Sequence, residues 1–470
     1  MIPIAEKTNR IYFLAVCGTA MATLAALLKA KGYTVSGVDQ NVYPPMSTFL
    51  TESGIKVHSG YDIKHLQPAP DLVVVGNAIS RGNVEIESVL NRHIPYISMP
   101  DAIREFLIRG RRSIVIAGTH GKTSTTALLA WIFHRAGRHP GFLAGGLTHN
   151  FSRGGAVGEG SDFIIEGDEY DSGFFDKTPK FLHYLPDIGV INCIEYDHAD
   201  IYSSLDEIKT AFRRFVNLIP SKGSLIVGAE SPAALEVSGN AFCPVQTFGL
   251  TPDADWHACG ARYSSGGMDF QVRFRDQSLG NLFAPLYGEH NIRNILAAVA
   301  VSRNAGIDFE AIRSACRTFR GVKRRGERVA TIGGAELYDD FGHHPTAIRA
   351  TLAAFRNRFP ERRIWALFEP RTASTRRDVF QKSLAHSFDD ADIVIVAPVY
   401  RAETIPRTER FCSETLVNDL RHRGVEAHYL PDVDEIVRYI KTHLQNDDLI
   451  ITFSNGSFGN IHHKLITEYA

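Results

Sequence analysis

The chain has 470 residues, which at ~150 residues per domain predicts about three domains. Apolar residues make up 44% and charged residues 22%, an ordinary balance that excludes a disordered or fibrous chain. The 51 basic and 52 acidic residues leave a formal net charge of −1, so no overall positive field favours nucleic acid as the main partner.

The first block, residues 1–108, has the pattern of a Rossmann-like parallel sheet. IYFLAV, YTVSGVD and LVVVGNA read as buried strands, and MATLAALLKA reads as the helix between the first two. Such sheets bind ligands at the carboxyl ends of their strands. The candidate ligand contacts there are Gly18, Thr19, Asp39 and Asn77. The first turn, CGTAM, has one glycine rather than GxGxxG, so we do not expect a dinucleotide.

The same block raises the question of a signal peptide. The apolar stretch from Ile11 follows basic residues, but Gly18 and Thr19 interrupt it and a second β-rich run follows directly. No run elsewhere reaches the ~18 apolar residues of a membrane span. The six cysteines are far apart and form no CxxC pair, which fits a reducing compartment. We therefore expect a cytoplasmic protein with no membrane partner, as a monomer or a weak homo-oligomer.

The second block, residues 109–328, opens with the strongest motif in the chain. GTHGKTST, residues 118–125, follows the apolar strand SIVIA and opens a helix, which is the context of a phosphate-binding loop. Lys122 is placed to reach the β- and γ-phosphates of ATP, and the Thr123 hydroxyl to ligate Mg²⁺. The expected ATP contacts of this loop are Gly118, Thr119, His120, Gly121, Lys122, Thr123 and Ser124.

Acidic and histidine residues follow two later strands of this block. EGDEYD comes after DFII, and we take Glu166 as the first choice for the metal, with Glu169 as the alternative. EYDHAD comes after IGVINCI, and His198 there is either a metal ligand or an orienting group. Asn291 and Asn294 share one face at the start of a helix, where they either read a base edge or cap the helix.

The rest of the chain predicts a small antiparallel addition at about 240–287, two helices, and a doubly wound α/β block at 329–470. The basic linker before the last block holds Arg324 and Arg325, which we expect to reach the γ-phosphate when the domains close. DDFGHHP joins a strand to a helix, so Asp340 and the two histidines, His343 and His344, form either a polar site or a helix cap.

Three classes of nucleotide enzyme compete for this pattern. A GTPase switch needs an NKxD-type guanine reader, which is missing from the sequence. A kinase or mechanical ATPase fits the loop but has no use for two further α/β domains. An ATP-dependent ligase needs sites for an acid, an amine and ATP, which suits three domains.

The ordered motifs GTHGKTST, EGDEYD, NCIEYDHAD, GEHNIRN, KRRGER and YDDFGHHPT resemble the Mur ligase family over essentially the whole chain. Five further segments favour a member that couples UDP-N-acetylmuramate to L-alanyl-γ-D-glutamyl-meso-diaminopimelate in murein recycling. They are NVYPPMSTFL, GNAISRGN, EYDSGFFDK, FEPRTASTRR and SNGSFGNIHHKL. The alternative is the member that adds L-alanine in de novo peptidoglycan synthesis.

The resemblance implies a role for each domain. It places UDP-N-acetylmuramate on residues 1–108, ATP on 109–328 and the incoming peptide on 329–470. It implies Mg²⁺ on Thr123, Glu166 and His198, adenine near the two asparagines, and ATP contacts from Arg325 and Asp340. The peptide is expected at Arg371 and Asn455, which follow predicted strands of the last block.

The implied reaction passes through an acyl phosphate that the amine then attacks, with Lys122 stabilising the transferred charge and His198 or His344 as candidate bases. One departure from the family concerns its carbamylated lysine. The aligned position is Arg213, with Lys209 one turn earlier, so we predict no such lysine.

Overall fold

The computed structural model describes residues 7–469. The N-terminal part forms a five-stranded parallel sheet in the order β3-β2-β1-β4-β5. Its strands are β1 (Arg10–Leu14), β2 (Thr34–Asp39), β3 (Lys56–Ser59), β4 (Leu72–Val75) and β5 (Tyr96–Ser98). Its helices are α1 (Thr19–Ala30), α2 (Met46–Glu52), α3 (Val84–Asn91) and α4 (Met99–Ile103), which runs into a π-helical turn at Arg104–Ile108. This order is the one expected of a Rossmann-like sheet.

The central part is built on a ten-stranded sheet in the order β17-β16-β15-β14-β13-β12-β6-β9-β7-β8, with a separate hairpin of β10 and β11. The strands are β6 (Arg112–Ala117), β7 (Gly141–Thr148), β8 (Arg153–Ala156), β9 (Asp162–Gly167), β10 (Asp171–Gly173), β11 (Asp176–Pro179), β12 (Ile188–Ile191), β13 (Ser224–Gly228), β14 (Val245–Gly249), β15 (Trp256–Ser264), β16 (Gly267–Phe274) and β17 (Gln277–Ala284). The helices are α5 (Lys122–Arg135), α6 (Leu205–Asn217), α7 (Pro232–Ser238), α8 (Glu289–Asn304) and α9 (Phe309–Arg317). The antiparallel strands expected at 240–287 are present, and they extend the parallel sheet through β14.

The C-terminal part has a six-stranded sheet in the order β18-β19-β23-β20-β21-β22, in which only the β18–β19 pair is antiparallel. The strands are β18 (Glu327–Ile332), β19 (Ala335–Asp340), β20 (Ile364–Phe368), β21 (Ile393–Val396), β22 (Glu426–Tyr429) and β23 (Leu449–Phe453). The helices are α10 (Pro345–Arg358), α11 (Gln381–Leu384), α12 (Ser413–His422), α13 (Val433–His443) and α14 (Ile461–Glu468).

The predicted class, three α/β parts with a phosphate-loop sheet in the middle, is confirmed. The boundary predicted after residue 108 coincides with the end of the π-helical turn. The boundary predicted after residue 328 falls inside β18, because the hairpin of β18 and β19 begins at Glu327. No helix within residues 7–469 is long and apolar enough to cross a membrane.

The inner strands are apolar along their whole length because helices cover both faces of each sheet. Every side chain of β20 is buried, and the same holds for β4, β12 and β21. In the central sheet β6 lies between β9 and β12, and Ala117 at its carboxyl end pairs with Gly167 and with Ile191. Three polar loops therefore leave one edge of the sheet side by side.

Candidate active site

The loop after β6 has the backbone of a phosphate cradle. Gly118 has φ +122° and Gly121 has φ +79°, which is the left-handed region that glycine adopts at little cost. Gly121 is also the N-cap of α5, so the free N–H groups of the first helical turn face the loop and favour an anion. A Cβ on Gly121 would lie 2.2 Å from Oδ1 of Asn294. The loop thus packs closely against α8.

Lys122 belongs to a buried chain of charges. Its Nζ donates to the carbonyl of Gly118 at 2.7 Å and to Oε2 of Glu169 at 2.7 Å. Oε1 of Glu169 lies 3.0 Å from Nε2 of His198. Burial works to lower the pKa of Lys122, but Glu169, Asp168 and Glu166 outweigh it and raise this pKa to about 12. Lys122 is therefore a permanent cation at the loop.

The surroundings of His198 favour its charged form. Burial opposes the charge, but the hydrogen bond and the charge of Glu169 prevail and raise the pKa of the imidazole above its ordinary value. The residue has φ +57°, a left-handed conformation that is uncommon outside glycine. This geometry turns the ring back toward Glu169 and places it against Tyr170, with ring centroids 4.2 Å apart.

The two glutamates left open by the sequence have different partners. Oε2 of Glu166 accepts from Oγ1 of Thr123 at 2.9 Å and from the backbone N–H of Gly145 at 2.7 Å. Glu169 is occupied by Lys122 and His198. Hydroxyl and carboxylate oxygens are the ligands that Mg²⁺ prefers, so the adjacent Thr123 and Glu166 fit this ion. His198 contacts Glu169 and not Glu166.

Asn291 and Asn294 lie together on α8, as their spacing predicts. Nδ2 of Asn291 donates to the carbonyl of Tyr287 at 2.8 Å, and Nδ2 of Asn294 lies 3.3 Å from Oδ1 of Asn291. Oδ1 of Asn294 accepts from Oγ1 of Thr125 at 3.3 Å. The buried Asn294 therefore supports the phosphate loop, while Asn291 is the more accessible of the two amides.

The two arginines of the basic linker have different surroundings. Arg324 donates to the carbonyls of Ser454 at 2.6 Å and Gly456 at 2.8 Å, and to Asp339 at 2.9 Å, so its guanidinium is committed to the C-terminal sheet. The expectation that Arg324 reaches a γ-phosphate finds no support in this arrangement. Arg325 is exposed and stacks on the ring of Phe341 at 5.1 Å.

Asp340 is buried and holds the turn that carries the two histidines. Its carboxylate accepts from the backbone N–H groups of Gly326 at 2.8 Å and Gly342 at 2.6 Å. Burial raises its pKa even though Arg325 works against the change. His344 follows as the N-cap of α10, with Nδ1 accepting from the N–H of Thr346 at 3.2 Å. Burial lowers the pKa of His344 to about 4, so its ring is neutral.

One contact between the central and C-terminal parts was not predicted. Oγ of Ser374 donates to Oδ1 of the buried Asp197 at 2.7 Å and accepts from the N–H of Ala199 at 3.1 Å. Nε2 of His343 lies 3.5 Å from Oδ2 of the same carboxylate. Asp197 directly precedes His198, so this contact fixes the loop that carries this histidine. The only sequence signal was the acidic residue within EYDHAD.

The candidate residues of the N-terminal part lie at the predicted strand ends. Gly18 is the N-cap of α1, where Thr19 begins the helix. Asp39 accepts from the backbone N–H of Cys17 at 2.9 Å, so it holds the turn after β1. Nδ2 of Asn77 donates to Oδ1 of Asp171 at 2.9 Å, which ties this part to the β10–β11 hairpin.

The candidate peptide residues lie at the carboxyl ends of β20 and β23. The guanidinium of Arg371 lies 3.8 Å above the ring centroid of Tyr400, with Nη1 3.3 Å from Oε1 of Glu369. Gly456 leaves room for it, because a Cβ there would lie 2.1 Å from Nε of Arg371. Oδ1 of Asn455 is buried and has no hydrogen-bond partner within the described part of the chain. It is an acceptor available to a ligand.

Lys209 and Arg213, the two cations considered for the family's carbamylated lysine, contact the same glutamate. Nζ of Lys209 lies 2.9 Å from Oε2 of Glu236, and Nη2 of Arg213 lies 2.6 Å from Oε1 of the same residue. Both cations of α6 therefore pair with α7.

Three family profiles match the chain in order. They are described as "Mur ligase family, catalytic domain" over residues 10–111, "Mur ligase middle domain" over 116–302, and "Mur ligase, glutamate ligase domain" over 324–456. The UDP-N-acetylmuramate–L-alanyl-γ-D-glutamyl-meso-2,6-diaminoheptandioate ligase of Escherichia coli is 37% identical, with 98% of each chain covered. The ligase of the same name from Haemophilus influenzae is 38% identical over 98% of this chain and 99% of its own.

Solved structures and more distant relatives complete the comparison. A murein peptide ligase from Psychrobacter arcticus is 37% identical with a TM-score of 0.73, over 97% of this chain and 98% of that chain. A UDP-N-acetylmuramate–L-alanine ligase from Caldanaerobacter subterraneus is 32% identical, with 98% of each chain covered.

Proposed function

Because this chain belongs to the Mur ligase family, we propose that it joins L-alanyl-γ-D-glutamyl-meso-diaminopimelate to UDP-N-acetylmuramate. The reaction is an ATP-dependent, ADP-forming amide ligation. The observation that carries the choice of amine is the difference in identity between two groups of relatives. The tripeptide ligases share 37% and 38% of their residues with this chain, whereas six L-alanine ligases share 31% to 34%.

The acceptor carboxylate is a poor acylating agent and must first be activated. It attacks the γ-phosphate of ATP in line, which yields an acyl phosphate and ADP. Lys122 leaves its pairing with Glu169 to stabilise the negative charge of this transfer, and the helix N-terminus at Gly121 stabilises the remaining phosphates. Thr123 and Glu166 would hold Mg²⁺, which as a Lewis acid offsets charge on the phosphate oxygens.

The second step requires a neutral amine. The amine attacks the acyl carbonyl, phosphate leaves, and one proton must be removed from the nitrogen. The pairing with Glu169 raises the pKa of His198 and so favours its cationic form, which suits it to stabilise negative charge. His344 is neutral, which makes it the better of the two candidate acceptors for this proton.

The C-terminal part supplies the groups that a tripeptide needs. The glutamyl and diaminopimelyl units of the tripeptide carry carboxylates, and Arg371 can hold one of these carboxylates with two parallel hydrogen bonds. The buried acceptor on Asn455 suits the ammonium at the far end of diaminopimelate. Free L-alanine has neither the second carboxylate nor this ammonium, so it would leave these groups unpaired.

The test is to measure kcat/KM for the tripeptide and for L-alanine with ATP and UDP-N-acetylmuramate saturating. We expect a strong preference for the tripeptide, and a loss of about 5- to 150-fold for the tripeptide in Arg371→Ala, equivalent to the 1–3 kcal/mol of an unpaired polar group. Arg401→Ala is the matched control, because this exposed arginine also lies over Tyr400, at 5.4 Å. A preference for L-alanine would make the protein an alanine-adding ligase, and an equal loss in both variants would remove Arg371 from the peptide site.

A further inference from the structure

Three side chains from separate segments converge beside the phosphate loop. His120 lies in the loop itself, Glu195 follows β12, and His344 begins α10 of the C-terminal part. Nε2 of His120 lies 2.9 Å from Oε2 of Glu195, and Nδ1 of His344 lies 3.3 Å from the same oxygen. The three potential ligand atoms all lie within 4.8 Å of one another.

The hydrogen bonds of His344 determine which of its nitrogens carries the proton. Nε2 faces the carbonyl of Tyr196 at 3.2 Å, and a carbonyl can only accept, so Nε2 is protonated. Nδ1 accepts from the backbone N–H of Thr346 and therefore presents a lone pair. That lone pair faces the carboxylate of Glu195, an acceptor as well. Because burial keeps the pKa of His344 at about 4, no proton separates the two acceptors near neutral pH.

A second cluster, formed by His183 and two aspartates, has a different geometry. His183 lies between Asp101, 2.9 Å from Nδ1, and Asp176, 3.1 Å from Nε2. The ring of His183 lies between the two carboxylates with one nitrogen facing each, so these groups do not meet directly. At Glu195 the lone pair of His344 and one nitrogen of His120 face the same carboxylate oxygen, so a cation would be shared by all three groups.

We propose that His120, Glu195 and His344 form a binding site for Zn²⁺ or a similar transition-metal ion. Two imidazoles and one carboxylate are a ligand set that zinc uses when it keeps an open fourth position. The contact between Nε2 of His344 and the carbonyl of Tyr196 supplies the outer hydrogen bond that fixes a metal-binding imidazole. Glu195 and His344 both line a cavity of about 460 Å³, which leaves room for the fourth ligand.

The position of the site gives the ion a regulatory effect. The ion would bridge the phosphate loop to the C-terminal part. It would also occupy the lone pair on Nδ1 of His344, which is the group that we propose accepts the proton of the amine. The N–H of Thr346 would lose its partner and turn to the cavity. Bound Zn²⁺ should therefore inhibit ligation by holding the two parts together. The existence of the site does not depend on which amine the enzyme uses.

The experiment is a Zn²⁺ titration of the whole protein in excess Mg²⁺ and ADP, monitored by competition with a chromophoric chelator. We expect one Zn²⁺ per chain, and binding weakened at least about 100-fold in both Glu195→Gln and His344→Asn, beyond the usual loss for an outer partner. Asparagine at 344 is chosen because it also caps helices. Circular dichroism verifies that each variant is folded.

Two variants serve as controls. His386→Asn removes an exposed histidine that lines the same cavity, and His183→Asn removes the histidine of the second cluster. Neither should change the affinity. Substituting Co²⁺ should produce visible absorption typical of nitrogen and oxygen ligands in the parent and not in Glu195→Gln. Absence of Zn²⁺ binding, or binding that Glu195→Gln leaves unchanged, would overturn the proposal.

Discussion

Replacing Lys122 with methionine should abolish ligation and also destabilise the protein, because this cation neutralises a buried carboxylate. The side chains of Lys122 and Glu169 are only 12% and 3% exposed, and their charges lie 2.7 Å apart. At an effective dielectric constant of about 20, two unit charges at this distance attract by about 6 kcal/mol before the cost of desolvating them. Removing one partner of such a pair costs about 3–5 kcal/mol. We expect the lower end, because His198 still contacts Glu169.

A double variant separates the two roles of the lysine. Glu169→Gln removes the charge that Lys122→Met leaves unpaired, so the double variant should be more stable than the sum of the single losses by about 1–3 kcal/mol. Turnover should not recover, since the cation that stabilises the transferred phosphate is still absent. A stabilising donor of this kind contributes on the order of 10²–10³-fold in rate.

The assays are urea unfolding for stability and ADP release coupled to peptide ligation for activity. Losses in stability that add within about 0.5 kcal/mol would refute the buried ion pair. Near-normal turnover in Lys122→Met would refute the assignment of the phosphate loop.

Three further predictions concern single residues. His198→Asn should lower the free energy of unfolding more at about pH 6 than at about pH 9. A raised pKa in the folded state gives stability that is complete below the ordinary value of ~6.5 and is lost as the pH rises through the folded value. Urea unfolding at both pH values measures the difference, and an equal loss at both would contradict the prediction. Gly121→Ala should weaken ATP binding, measured by calorimetry, far more than Gly137→Ala. Both glycines have positive φ, but a Cβ at Gly137 meets nothing within 4 Å. Similar effects of the two substitutions would mean that backbone strain alone causes the loss of binding. Asp171→Ala should raise the KM for UDP-N-acetylmuramate about 2- to 12-fold by freeing Asn77, with kcat little changed, and an unchanged KM would separate the hairpin from the acceptor site.

The phosphate loop and its neighbours were predictable because local signals agree with one another. GTHGKT lies between an apolar strand and a helix, Glu166 lies near the carboxyl end of β9, and His198 follows β12. Parallel strands bring their carboxyl ends to one edge, so the proximity of these residues followed from the strand assignments alone. The choice between Glu166 and Glu169 did not follow, because it depends on which loop atoms each carboxylate meets.

Contacts between distant parts of the chain were not predictable. Asn77 meets Asp171, and Ser374 meets Asp197, across 94 and 177 residues of sequence. No local periodicity encodes such a pairing, since it depends on how whole sheets are placed relative to one another. The same holds for Arg324, whose guanidinium is held by the carbonyls of Ser454 and Gly456 in the turn after β23.

The three regions that we propose to bind the acceptor, the nucleotide and the peptide share one arrangement of side chains, which keeps their donor groups ordered. Each donor that we propose for the substrates is already paired with a carboxylate of the protein. The pairs are Asn77 with Asp171, Lys122 with Glu169, and Arg371 with Glu369. These partners hold the donors in place, so little side-chain entropy remains to be lost when a substrate binds. They also oppose the substrate, because a phosphate or carboxylate that enters must share its donor with an existing negative charge. If Lys122 and Glu166 act as we propose, binding is favoured when a second cation accompanies the anion, as Mg²⁺ accompanies ATP, and nucleotide binding then depends on the carboxylate of Glu166 as well as on the lysine.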